Sequence, residues 1–175
     1  MADQIVMKPE GIPDGKRRRT NASTKLLHEW LTLRYPETVP MYELRLGPTE
    51  KHLLNREVSP ALEAMLRNSN WFADAVLLLP SEGLVIEAKV DPEPGAVGQV
   101  LFYLRLLWRT PELSGSMHLP LVPVVLFAED DSEVSAFARQ LGCRVEIYTP
   151  DWIETYLVER QFQRRLSTRG NSTSA

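Results

Sequence analysis

The chain has 175 residues, 43% hydrophobic and 25% charged, proportions that suit a globular protein with one real core. Its formal net charge of −3 excludes a protein that binds nucleic acid chiefly by overall basicity, but not a nuclease, whose acidic ligands offset local basic patches. The single cysteine, Cys143, excludes an internal disulfide and a cysteine-rich zinc site; no apolar run nears the ~20 residues of a membrane span and the start lacks a signal-peptide pattern, so no membrane association and a cytoplasmic location are expected.

Residues 1–22 are polar, carry Pro9, Gly11, Pro13 and Gly15, and show no apolar periodicity. They read as a flexible basic arm, with Lys16, Arg17, Arg18 and Arg19 available to a DNA backbone. A second basic cluster, Arg160, Arg164, Arg165 and Arg169, lies near the end. Both clusters are equally readable as solvated surface. Ser23 to Tyr35 reads as a helix, with Leu26, Leu27, Trp30 and Leu31 at helical spacing and Pro36 as its stop. Glu29 borders that apolar stripe, where it could point toward a site or simply face water. Val39 to Leu46 reads as a strand carrying Glu43, a second auxiliary acidic candidate whose plain reading is solvent exposure. Ser59 to Asn68 reads as a short helix capped by Ser59, with Pro60 in its first turn.

The rest of the chain is arranged around Trp71 to Tyr103. Two apolar runs, FADAVLLL and GLVIEAKV, flank a turn at Pro80-Ser81-Glu82-Gly83, the pattern of a β-hairpin. Asp74, Glu87 and Lys89 interrupt these runs, and charges in such places are costly unless paired or bound to metal. Side chains alternate along a strand, so a loop of even length puts all three on one face, and an odd loop separates them. Pairing Leu79 with Leu84 sets Asp74 opposite Lys89 and makes Asp74 and Glu87 diagonal neighbours about 7–8 Å apart. Two carboxylates with an ammonium between them suit a hard divalent cation such as Mg²⁺, which takes oxygen ligands and keeps several waters.

Asp91 and Glu93 add negative charge in the loop that follows. Ala96 to Arg109 reads as a strong helix that carries Gln99 and Tyr103 one turn apart on one face. Leu121 to Ala128 reads as a strand covered on both faces, although Pro123 argues for its beginning or for a sheet edge. Glu129 to Ser132 reads as the cap of a helix over Glu133 to Leu141. Arg144 to Tyr148 reads as a strand, Asp151 to Leu166 as an amphipathic helix, and residues 167–175 as a disordered tail. Residues 23–166 thus form one α/β domain. No phosphate-cradling G-x-x-x-x-G-K-[ST] loop is present, so no nucleotide cofactor is expected. His28, His52 and His118 are scattered without a metal pattern.

Asp74 followed by Glu87-Ala88-Lys89 resembles the D-x12-E-x-K core of the PD-(D/E)XK nuclease superfamily, the restriction-endonuclease-like fold. Gln99 to Tyr103 matches the Q-x-x-x-Y motif of its RecB-like branch. Ala73 stands where the motif's name has proline. The resemblance implies a mixed β-sheet core flanked by helices, of αβββαβ type, and a Mg²⁺- or Mn²⁺-dependent deoxyribonuclease. Asp74 and Glu87 would ligate the metal with the backbone carbonyl of Ala88, and Lys89 would orient or activate the attacking water. Gln99 and Tyr103 would support the site or contact DNA, and Glu29 matches an auxiliary acidic position of some members. The implied partner is DNA. A homodimer that cuts both strands, or a helicase-type partner, is left open, with no interface readable. The alternatives are a catalytically inactive DNA-binding or protein-interaction module on the same fold, and a structural protein whose three charges form a salt-bridged cluster.

Overall fold

A computed structural model describes residues 17–47, 71–110, 113 and 118–170, with side chains described between 22 and 163 of these. The short helix expected over Ser59 to Asn68 lies outside the described residues. In chain order the elements are helix α1 (Arg17–Arg34), strands β1 (Met41–Leu46), β2 (Trp71–Leu78) and β3 (Gly83–Lys89), helix α2 (Pro94–Leu107), strand β4 (Leu121–Phe127), helix α3 (Ser132–Gln140), strand β5 (Arg144–Ile147) and helix α4 (Ile153–Gly170). The fold is mixed α/β. Five strands form one open sheet in the order β1-β2-β3-β4-β5. The first two pairings are antiparallel and the last two parallel.

Strand alternation divides the core into two layers, one on each face of the sheet. Leu84, Ile86 and Ala88 of β3 pack with Leu26, Leu27, Trp30 and Leu31 of α1 and with Ile153 of α4. Val85 of the same strand packs with Val97, Val100, Tyr103 and Leu107 of α2 and with Val134 and Ala138 of α3. The central strands β3 and β4 are buried on both sides, which is why their sequences are nearly continuous apolar runs. Pro123 is tolerated because β5 pairs with β4 only from Val124 onward. At Pro123 the strand is a local edge on that side, so no sheet hydrogen bond is lost there.

Several boundaries differ from the sequence reading. Helix α1 begins at Arg17 instead of Ser23, so the basic residues Arg17, Arg18 and Arg19 belong to a helix and not to an arm. Helix α2 begins at Pro94, with proline in the first turn where its missing N–H costs nothing. Helix α4 continues to Gly170, past the expected stop at Leu166 and into the stretch read as a disordered tail. The cap of α3 is as expected: Asp131 accepts from the N–H groups of Glu133 and Val134, at 3.0 Å each. Gly142 closes that helix in the left-handed region, φ +82°.

The hairpin register is the correction that matters for the site. Leu78 pairs with Gly83 and Leu77 with Leu84, where the sequence reading paired Leu79 with Leu84. The loop is Leu79 to Glu82, closed by a 2.9 Å bond from the Leu79 N–H to the Glu82 carbonyl. Gly83 is therefore a strand residue, not a turn residue. A Cβ there would stand 2.8 Å from Leu121 Cδ2, so glycine leaves the room that the Leu121 side chain of the parallel neighbour β4 takes up. The loop still holds four residues, so its parity is even, as the site requires.

Candidate functional site

The corrected register moves Asp74 by two places along β3. Ala75 pairs with Ile86, so the next position places Asp74 opposite Glu87 and not opposite Lys89. At the level of the backbone the two residues are thus directly across from one another instead of diagonal, the closer of the two arrangements, and the charge of Asp74 raises Glu87. Asp74 also replaces a piece of the ladder. Its Oδ2 accepts the Ala88 N–H at 2.8 Å, which satisfies a backbone donor just beyond the last paired residues and fixes the aspartate's orientation. Lys89 lies two residues after Glu87, on the same face of β3, and its Nζ donates to Glu87 Oε1 at 2.6 Å.

Glu87 is only 2% exposed. Among the described residues its Oε2, which is buried, has no hydrogen-bond partner. Burial, reinforced by the Asp74 charge, pushes its carboxyl up to about 7 against the opposing pull of Lys89. Asp74 is also raised. Burial is the main cause and Glu43 adds to it, while the Ala88 N–H and Lys89 work the other way. Burial alone would lower Lys89, but the Glu87 bond and the charges of Glu87, Asp74 and Glu93 outweigh it, and the ammonium is held more firmly than in water.

Helix α2 covers this face. Tyr103 is buried on it, and burial together with the charges of Glu87 and Asp74 raises its phenol well above the ordinary value. The phenol stands near the Glu87 carboxylate but does not satisfy Oε2, which remains without a partner. Gln99, one turn before Tyr103, has a buried Oε1 that also lacks a partner. Two orphaned acceptors on one side of the sheet are unusual in a folded core. A cation or a hydrogen-bond donor would satisfy both.

Of the residues singled out in the sequence, Asp74, Glu87, Lys89 and Tyr103 come together, and Gln99 shares the α2 face of Tyr103. Glu29 does not join them. Its Oε2 accepts the Trp152 indole N–H at 2.8 Å, Lys25 stands 3.8 Å from its Oε1, and its charge adds to burial in raising the Tyr148 phenol above its ordinary value. Helix α1 packs on the sheet face opposite α2, so Glu29 ties α1 to α4 behind the site. Asp91 is likewise engaged elsewhere: Arg160 holds both its oxygens at 2.6 Å. Glu93 keeps its influence on Glu87 and Lys89. Cys143 is buried and its thiol raised by burial, the opposite of an activated nucleophile.

Among the described residues, no three or more His, Cys, Asp and Glu side chains are grouped so as to hold a metal ion. The Asp74–Glu87 pair meets the smaller requirement of Mg²⁺, which is commonly held by one or two carboxylates with waters completing its shell.

No protein-family model matches the chain, and none of the curated proteins matches it. A crystal structure of a protein of unknown function, AF1548, is similar at 12% identity with a TM-score of 0.45, over 79% of this chain and 66% of that one. This chain therefore spans slightly less than two thirds of that protein. Among the described residues no helix is long and apolar enough to cross a membrane.

Proposed function

We propose that the chain is a metal-dependent DNA nuclease of the PD-(D/E)XK superfamily, hydrolysing phosphodiester bonds with water activated by bound Mg²⁺ or Mn²⁺. One observation carries the reading. Asp74 and Glu87 oppose each other on adjacent strands, Lys89 is bonded to Glu87, and Glu87 Oε2 is buried without a partner among the described residues. A buried carboxylate oxygen beside a second carboxylate costs free energy that a divalent cation would offset. The order helix, three strands, helix, strand supports the same reading, as do Gln99 and Tyr103 on the helix that follows Lys89.

Asp74 and Glu87 are the residues that would hold the ion. When bound, it would supply Lewis acidity and lower the pKa of a water molecule. The chain's own groups do the rest. The Ala88 N–H fixes one oxygen of Asp74 and leaves the other available. Lys89, held as an ammonium, can donate to a water or to a phosphate oxygen. It cannot take up a further proton in that state, so its part is orientation and stabilisation of developing charge. Tyr103 keeps its proton and serves as a donor beside Glu87. DNA is the partner this chemistry implies. The negative surroundings made by Glu43 and Glu93 mean that a phosphate approaches only after a cation has offset them.

The test is to incubate the full chain with linear, circular, single-stranded and branched DNA, each with Mg²⁺, Mn²⁺ or a chelator. Cutting of at least one form in metal, abolished by the chelator, is expected. Cutting that persists in the chelator, or no cutting of any form, would contradict the proposal.

A further inference from the structure

The pairs Tyr42↔Ala75 and Leu44↔Ala73 place Glu43 of β1 opposite Asp74 of β2, which is in turn opposite Glu87 of β3. Three acidic residues thus stand at one backbone level across three adjacent strands. The backbone is unusual at that level. Glu43 has φ +46°, and among the described residues it is the only one besides glycine with positive φ. A glutamate there is strained, since its side chain is longer than the asparagine or aspartate side chains whose local hydrogen bonds favour the left-handed region. The faces also switch at this level. Met41 and Leu44 pack in the same core layer, and so do Ala73 and Val76. Such odd spacings show that alternation is interrupted in both strands between those residues.

No core contact accounts for keeping a glutamate at Glu43, because its side chain is exposed. A second and independent observation points to a ligand at this level: Glu87, 2% exposed, has an oxygen with no partner among the described residues. We infer that Glu43 is a third carboxylate of the cation site, holding the waters of a divalent ion shared by Asp74 and Glu87. The inference rests on the metal-site reading above. It assigns to β1 the auxiliary acidic role that the sequence offered to Glu29 on α1.

A role through water fits the spacing. The three acids do not form a ready ligand cage, whereas Mg²⁺ keeps several of its waters and takes them in rigid octahedral geometry. A carboxylate in the next layer out accepts hydrogen bonds from such waters and adds charge without bonding the ion.

The experiment follows the thermal unfolding of the full chain against Mg²⁺ concentration, for the unaltered protein, Glu43→Gln, Glu43→Gly and Glu29→Gln. Glu43→Gln should raise the Mg²⁺ concentration at half effect about tenfold, the usual effect of losing such a partner, with the metal-free Tm unchanged. Glu43→Gly should show the same loss of affinity and a higher metal-free Tm, because glycine relieves the strain. Glu29→Gln should leave the Mg²⁺ response intact. A Mg²⁺ response in Glu43→Gln equal to that of the unaltered protein would overturn this inference alone. A lower metal-free Tm in Glu43→Gly with unchanged Mg²⁺ affinity would do the same and make Glu43 a structural residue. No response to Mg²⁺ in the unaltered protein would overturn both this inference and the reading beneath it.

Discussion

A glutamate that is 2% exposed and faces an aspartate across a strand pair is ill-suited to its charge until a proton or a cation arrives. Burial and Asp74 raise Glu87 from the ordinary value near 4.5 to about 7. The folded state therefore binds this proton more tightly than the unfolded chain does. The stabilisation is full below pH ~4.5 and is lost as pH rises through ~7, on the order of 3 kcal/mol in all. Without metal, the urea midpoint should thus fall between pH 5 and pH 7.5, and Glu87→Gln should flatten that fall. With metal the direction reverses. Protons compete with the cation for Glu87, so saturating Mg²⁺ should raise Tm more at pH 8 than at pH 5.5. Equal Mg²⁺ effects at both pH values would show that Glu87 is not a ligand. Lys89→Ala should further lower metal-free stability at pH 8, because it leaves Glu87 buried without its counter-ion.

The strand elements fix where these groups meet, and their placement was only partly legible in the sequence. The two apolar runs, the turn residues between them and the charges at even spacing were enough to read a hairpin with the three charges on one face. The register was not readable from them. Pro80, Ser81 and Gly83 look like one turn, yet Gly83 is spent on leaving room for Leu121 of β4, a contact made with a residue nearly forty positions away. Gly83→Val should cost about 1–3 kcal/mol, by forcing Leu121 aside. The left-handed Glu43 left no sequence signal either, since glycine, asparagine or aspartate would be expected at such a φ. The place of Glu29 stayed open for a similar reason. Helical periodicity puts it at the border of a stripe with Lys25 one turn away, but only the tertiary placement of Trp152, the residue before α4, decides which group claims its other oxygen. Local signals did better where the physics is local. The Asp131 cap was readable, and Asp131→Ala should cost ~1 kcal/mol while leaving the response to Mg²⁺ unchanged.

At the scale of the whole molecule, one sheet separates two packed layers, and the candidate site belongs to the α2 side. Helices α1 and α4 buttress the other side, tied together by Glu29 and Trp152, and Arg160 on α4 fastens Asp91 just beyond the end of β3. The architecture thereby holds β3 rigid on one face while its polar residues face α2 on the other, the arrangement that precise placement of reacting groups requires. The central claim is that this arrangement cuts DNA through Glu87. The most direct measurement compares cleavage of DNA in Mg²⁺ by the unaltered chain and by Glu87→Ala, with circular dichroism to establish that both are folded. Cleavage by the first and at least a hundredfold less by the second is expected; undiminished cleavage by folded Glu87→Ala would overturn the proposed function.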